Sequence, residues 1–126
     1  MDWKIELVHI PVTDVDRSIA FYRDQVGFVL DYDHKLPDVR FTQLTPPGSA
    51  CSIVLDRGLS DMAPGAQRGL QVVISDADVA YEQLVKAGVN PSPIDPQPWG
   101  RFVGFTDPDG NTWALQESPN RVNPPA

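Results

Sequence analysis

The sequence predicts an α+β fold made of two copies of one βαβββ unit. Three observations carry this. "VTDVDRSIAFYRDQVG" (residues 12–27) and "ISDADVAYEQLVKAG" (residues 74–88) share one layout: a strand ends, the chain turns through Asp, and a short amphipathic helix runs to Gly. "RFTQLTPPG" (residues 40–48) and "RFVGFTDPDG" (residues 101–110) repeat Arg, Phe, Thr, Pro and Gly in the same order. Each is followed by an apolar segment, "ACSIVLD" or "NTWALQE", that reads as a returning strand.

The first strand lies in "ELVHIPV", with Val8, Ile10 and Val12 on the helix side and Leu7 and His9 on the other, because strand side chains alternate. Asp14 and Asp76 suit N-caps, since a carboxylate accepts from the open N–H groups of a first turn. Asp16 and Asp78 follow inside that turn, where the helix dipole favours negative charge. Val15, Ile19, Tyr22 and Val26 fall on one face of the first helix, and Ala77, Tyr81 and Leu84 on one face of the second. Gly27 and Gly88 fit the left-handed position just past a helix. In Asp107-Pro108-Asp109-Gly110, Pro presets φ for a tight turn and Gly tolerates positive φ.

These elements make one domain over residues 1–117. Repeat one covers about 4–56, a linker 57–68, and repeat two 69–117. "NPSPIDPQPWG" is Pro-rich, so its strand must be short or at an edge. The tail, 118–126, is expected to be flexible. The helices cover one face of each half, so the opposite faces are expected to meet across a cleft suited to a small molecule.

Bulk composition narrows the function classes. The chain has 126 residues, a net charge of −7 and a 41% hydrophobic fraction. An acidic chain lacks the clustered Lys and Arg of a nucleic-acid groove or an anionic-membrane binder. One cysteine, Cys51, permits no internal disulfide and reads as a small hydrophobe. "MDWKIELVHI" has no apolar signal region, and no apolar run reaches membrane-span length, so a cytoplasmic protein is expected.

The "VTDVDRSIAFYRDQVGF" segment, the "GLQVVISD" strand and "FTDPDGNTWALQE" together resemble the vicinal oxygen chelate superfamily, over about residues 4–117. That group includes glyoxalase I, extradiol dioxygenases, fosfomycin-resistance enzymes and bleomycin-resistance proteins. The resemblance implies a half-open barrel around a central cavity, often a homodimer, and in its enzymes one divalent metal held by His, Gln or Glu from the first and last strands of each half.

Carried over residue by residue, the ligand positions lie seven residues before each capping Asp, at Leu7 and Gly69, and four past the "DPDG" glycine, at Ala114; the fourth falls at Val54. None of these side chains coordinates a metal. The scaffold is therefore expected to hold no metal or cofactor.

His9 remains. It shares its strand face with Leu7, and Gln71 is its repeat counterpart, both lying five residues before the capping Asp. Ser52 is in phase with Val54, and Thr112 and Gln116 with Ala114. One reading makes His9 a polar cavity residue contacting a neighbour or ligand. A second makes it a metal-free acid or base, as in an isomerase, lyase or cyclase; Gln71, Gln116, Ser52 or Thr112 are the groups considered to orient it. A third shifts a metal site two residues forward, to His9, Asp56, Gln71 and Gln116. His34, between acidic residues, reads as a solvated strand-end or loop residue.

Among the aromatics, Trp113 alternates with Ala114 and reads as core, while Phe41 and Phe102 read as cavity-facing. Trp99, in the Pro-rich loop, is expected near the cavity mouth. Arg40 and Arg101 recur and read as ion-pair partners. The leading expectation is a binding protein for an apolar or aromatic small molecule. Its pocket would be lined by Leu7, His9, Ser52, Val54, Gly69, Gln71, Trp99, Phe102, Thr112, Ala114 and Gln116. A protein-interaction module with no ligand is the remaining class.

Overall fold

A computed structural model describes residues 1–118, so most of the expected tail lies outside the described residues. The chain divides into two compact units. The first comprises Met1–Gln67 together with Asp107–Asn111, and the second Arg68–Thr106 together with the residues from Thr112 onward.

The first unit contains β1 (Leu7–Pro11), α1 (Val15–Ile19), β2 (Val29–Lys35), β3 (Arg40–Thr45) and β4 (Ser52–Asp56). Its sheet runs β1-β4-β3-β2, with β1 and β4 parallel and the other neighbours antiparallel. Asp14 caps α1 as expected, accepting from the backbone N–H of Arg17 at 3.0 Å. The helix then widens into a π-helical stretch, Ala20–Val26, which a periodicity of one residue per 100° does not anticipate. Val15, Ile19 and Tyr22 are buried as the helical face predicts, but after the widened turns Val26 is only half-buried. The segment stops at Gly27, whose φ of 94° explains the glycine.

Ile10, Val12, Leu44, Ile53 and Leu55 are buried with these helical side chains in the core of this unit. Phe28 stacks on Tyr22 with ring centroids 5.7 Å apart, and Phe21 meets Tyr22 edge-on at 5.1 Å. Each such side chain contributes roughly 1.5–3 kcal/mol when fully buried.

The Asp107–Asn111 turn gives the "DPDGN" pattern its physical reason. The buried Asp107 carboxylate accepts from the Tyr22 hydroxyl at 2.7 Å, the Asn111 side chain at 2.8 Å, and the backbone N–H groups of Asp109 and Asn111, both at 2.9 Å. Asn111 also donates to the Pro11 carbonyl at 2.8 Å and accepts from the Gln67 N–H at 3.1 Å. Asp109 accepts from Thr13 and from Arg17. A turn far along the chain thus satisfies the ends of β1 and the helix that follows it.

The second unit contains β5 (Leu70–Ile74), α2 (Ala77–Lys86), β6 (Asp95–Gln97), β7 (Gly100–Thr106) and β8 (Thr112–Glu117). Its sheet runs β5-β8-β7-β6, again with one parallel pair, β5 with β8. The Pro-rich strand β6 is three residues long and lies at the edge, where a missing N–H is tolerated. Asp76 caps α2 through the N–H groups of Asp78 and Val79. At the other end, the N–H groups of Val89 and Gly88 bond back to the carbonyls of Leu84 and Val85, closing the helix in a Schellman motif. Val103, Phe105, Trp113, Leu115, Ala77 and Leu84 are buried, and Tyr81 is half-buried. Trp113 stacks on Phe105 at 5.8 Å, the core placement its phase predicts.

One clamp recurs in both units. Arg40 on β3 donates to Asp16 in the first turn of α1 and to Asp33 on β2, each at 2.9 Å. Arg101 on β7 donates to Asp78 in the first turn of α2 at 3.0 and 3.1 Å, and reaches Glu117 at 3.5 Å. These are the ion pairs expected of the repeated arginines. They also mark which sheet face lies against the helix in each unit.

Candidate functional site

In the first unit the sheet face away from α1 carries the candidate residues. The parallel ladder pairs Leu7 with Ser52, His9 with Val54 and Pro11 with Asp56, and places Gln43 of β3 opposite Val54. Strand alternation therefore sets Leu7, His9, Ser52, Val54, Asp56 and Gln43 on one face. Phe41 also lies on it, opposite His34 of β2, whose ring stacks on Tyr32 at 5.7 Å. His34 is thus an exposed strand residue, with its acidic neighbours Asp31 and Asp33 engaged on β3.

The centre of this face is a histidine–carboxylate pair. His9 Nδ1 lies 2.9 Å from Asp56 Oδ2. The Asp56 side chain is 1% exposed and that of His9 39%. Asp56 accepts further hydrogen bonds from the N–H groups of Leu59 and Ser60 and from the Ser60 hydroxyl. Burial pushes its pKa up, but the bonds from Ser60, His9 and Leu59 together outweigh that and hold the carboxyl below the usual range. Asp56 is therefore a fixed anion at neutral pH, able only to accept. His9 Nδ1 is consequently the donor.

In the sequence Asp56 stands out only as a member of the shifted metal set, not as the partner that orients His9; the one signal for that role is its strand phase, two residues beyond Val54. Beside this pair runs a second polar chain. The Ser52 hydroxyl meets the Thr45 hydroxyl at 2.7 Å and accepts from Gln43 at 3.3 Å, and Thr45 donates to Asp31.

In the second unit the corresponding face carries Gly69, Gln71, Phe102, Thr112, Ala114 and Gln116. The ladders place Gln71 opposite Ala114 and Phe102 opposite Gln116. Gln71 donates its side-chain amide to Gln116 Oε1 at 2.6 Å, and Gln116 donates to the Trp99 carbonyl at 2.9 Å. The Gly69 N–H donates to the Thr112 hydroxyl at 2.7 Å. Phe102, Thr112, Ala114 and Gln116 are half-buried, and Gln71 and Gly69 are exposed. Trp99 is 60% exposed, so its indole is open to a partner.

The positions that would chelate a metal, Leu7, Val54, Gly69 and Ala114, carry no donor side chain. Among the described residues, no three His, Cys, Asp or Glu side chains group so as to hold a metal ion. The shifted set falls into two hydrogen-bonded pairs, His9 with Asp56 in one unit and Gln71 with Gln116 in the other. The residues at the four positions that the resemblance assigns to ligands do not fit the divalent metal it implies. Among the described residues no helix is long and apolar enough to cross a membrane.

Comparison with known proteins agrees with this architecture. The family model of the Glyoxalase/Bleomycin resistance protein/Dioxygenase superfamily matches residues 4–115. The uncharacterized protein YetH of Bacillus subtilis (strain 168) is 28% identical over 121 residues, covering 90% of this chain and 98% of its own. TnmS3, an antibiotic binding protein from Streptomyces sp. CB03234, has a TM-score of 0.86 and 34% identity, covering 93% of this chain and 97% of its own. A glyoxalase/bleomycin resistance protein from the same Streptomyces has a TM-score of 0.81 and 35% identity, covering 90% and 99%. With its two βαβββ units and a family match over nearly all the described residues, the chain belongs to the Glyoxalase/Bleomycin resistance protein/Dioxygenase superfamily.

Proposed function

We propose that this protein binds an apolar or aromatic small molecule without a metal, acting in the cytoplasm as a homodimer. The observation that carries the reading is the likeness to TnmS3, an antibiotic binding protein, at 34% identity over 93% of this chain. The absence of a donor side chain at Leu7, Val54, Gly69 and Ala114 supports the metal-free part of it, since a chelating relative needs ligands there. In the first unit the half-buried Leu7 and His9 would contact the ligand, with Ser52 and Val54, which are buried in the free protein, behind them in the contact set. In the second, Gly69, Gln71, Trp99, Phe102, Thr112, Ala114 and Gln116 are the contact set.

A thermal-shift screen of fused-ring antibiotics and simple polycyclic aromatics tests this. A ligand at a hundred times its Kd adds about 2.7 kcal/mol of stability, which raises Tm by several degrees in a domain of this size. No stabilisation by any compound would overturn the reading.

The His9–Asp56 pair favours a second reading, a metal-free isomerase, lyase or cyclase with His9 as acid or base. A buried carboxylate orienting an accessible imidazole is the base-and-orienter half of a catalytic site. A pH–rate profile governed by one group near neutrality and abolished in His9→Ala would support it.

A further inference from the structure

We infer that His9 is the polar recognition point of this site, and that it selects ligands presenting an acidic hydroxyl, phenolic or enolic, to its Nε2 atom. The inference rests on the small-molecule-binding reading above and adds the ligand chemistry to it.

The reasoning starts at Asp56. Its carboxylate is an anion held by two backbone N–H groups and the Ser60 hydroxyl, so it can only accept from His9 Nδ1. In a neutral imidazole one nitrogen carries the proton and the other a lone pair. Fixing the proton on Nδ1 leaves the lone pair on Nε2. Among the described residues Nε2 has no hydrogen-bond partner, and the side chain is 39% exposed. A second anchor limits drift of the strand, since the His9 carbonyl accepts from the Gln67 amide at 3.1 Å.

The surroundings define the rest of the ligand. Leu7, half-buried, flanks His9 on its own strand, and the buried Val54 stands directly opposite in the ladder. An oriented acceptor beside an aliphatic side chain matches an aromatic or enolic ring carrying a hydroxyl donor. It discriminates against a methyl ether of the same ring, which has no proton to offer and leaves the Nε2 lone pair unpaired.

Two measurements test this. The first reads the tautomer without a ligand, by long-range 1H–15N correlation on the imidazole nitrogens at pH 8.5. The chain has two histidines, so His9→Ala assigns the signals. The expected spectrum shows a protonated Nδ1 and an unprotonated Nε2 for His9, with Asp56→Asn shifting the ring toward the other tautomer. An Nε2-protonated ring in the wild type, or an imidazolium persisting at pH 8.5, would overturn the inference.

The second titrates the protein with 2-naphthol and 9-phenanthrol and with the methyl ether of each. The hydroxyl forms are expected to bind about five- to tenfold tighter, the effect of one hydrogen bond. The ratio should fall to about one in His9→Ala. Equal affinity for hydroxyl and ether in the wild type overturns this inference and leaves the binding reading standing. Saturable binding by none of the four probes overturns both.

Discussion

The two units place different chemistry in the same pair of slots. His9 and Gln71 stand five residues before their capping aspartates. Each bonds to the residue two places beyond its own ladder partner, Asp56 past Val54 in one unit and Gln116 past Ala114 in the other. The first unit fills the slots with an imidazole on a buried carboxylate, the second with two neutral amides. The helix clamp, by contrast, is retained in both, Arg40 to Asp16 and Arg101 to Asp78. The helix side of each sheet therefore keeps one architectural solution, while the opposite side has diverged in its chemistry. Of the two pairs, only the first unit's contains an imidazole, which can both donate and accept.

The strongest way to break this comparison is at the turn found in the first unit alone. Asn111→Ala removes a buried side chain that serves Pro11, Asp107 and Gln67, and should cost about 2–4 kcal/mol in urea unfolding. Tyr22→Phe removes one of the four donors to Asp107 and should cost less, about 1–2 kcal/mol.

Next comes the slot itself. Asp56→Ala leaves the Leu59 and Ser60 N–H groups without their acceptor and should cost about 2–3 kcal/mol. Gln116→Ala, at the matching place in a half-exposed pair, should cost under about 1 kcal/mol. Equal costs would mean that the two slots are not structurally different.

A smaller effect separates the two clamps by pH. Hydrogen bonding to Arg40 draws the Asp33 carboxyl down to about 2 from the ordinary 3.8, against the opposing effect of burial. Its folded pKa is depressed, so its stabilisation is complete above the unfolded value and is lost as pH falls from there through about 2. Arg40→Gln should thus be less stable than the wild type at pH 6, by roughly 1 kcal/mol at most, since solvent screens the pair, with the gap closing toward pH 2. Arg101→Gln should show the smallest gap, because Asp78 is 63% exposed. Urea midpoints of the three proteins from pH 6 to pH 2 check both.

Much of this was legible in the sequence because it is written locally. The caps at Asp14 and Asp76, the helix stop at Gly88, the strand phases that bury Trp113, and the edge placement of the Pro-rich strand each follow from a few adjacent residues. What was not legible depends on register between distant segments. Asp56 lies 47 residues from His9, and only the parallel ladder of β1 and β4 brings them together. The Asp107–Asn111 turn reads as a hairpin in its own repeat, and nothing local indicates that Tyr22, 85 residues away, supplies one of its donors. The π-helical turns after Ile19 escape a search tuned to regular helical spacing, which is why Val26 is less buried than its phase predicts.

The measurement that tests the central claim most directly is a calorimetric titration of wild type, His9→Ala and Gln71→Ala with the best compound from the fused-ring screen. The account predicts saturable binding to the wild type, a loss of about five- to tenfold in His9→Ala with the fold intact, and a smaller loss in Gln71→Ala. Unchanged affinity in His9→Ala, or a loss in Gln71→Ala as large or larger, would contradict it.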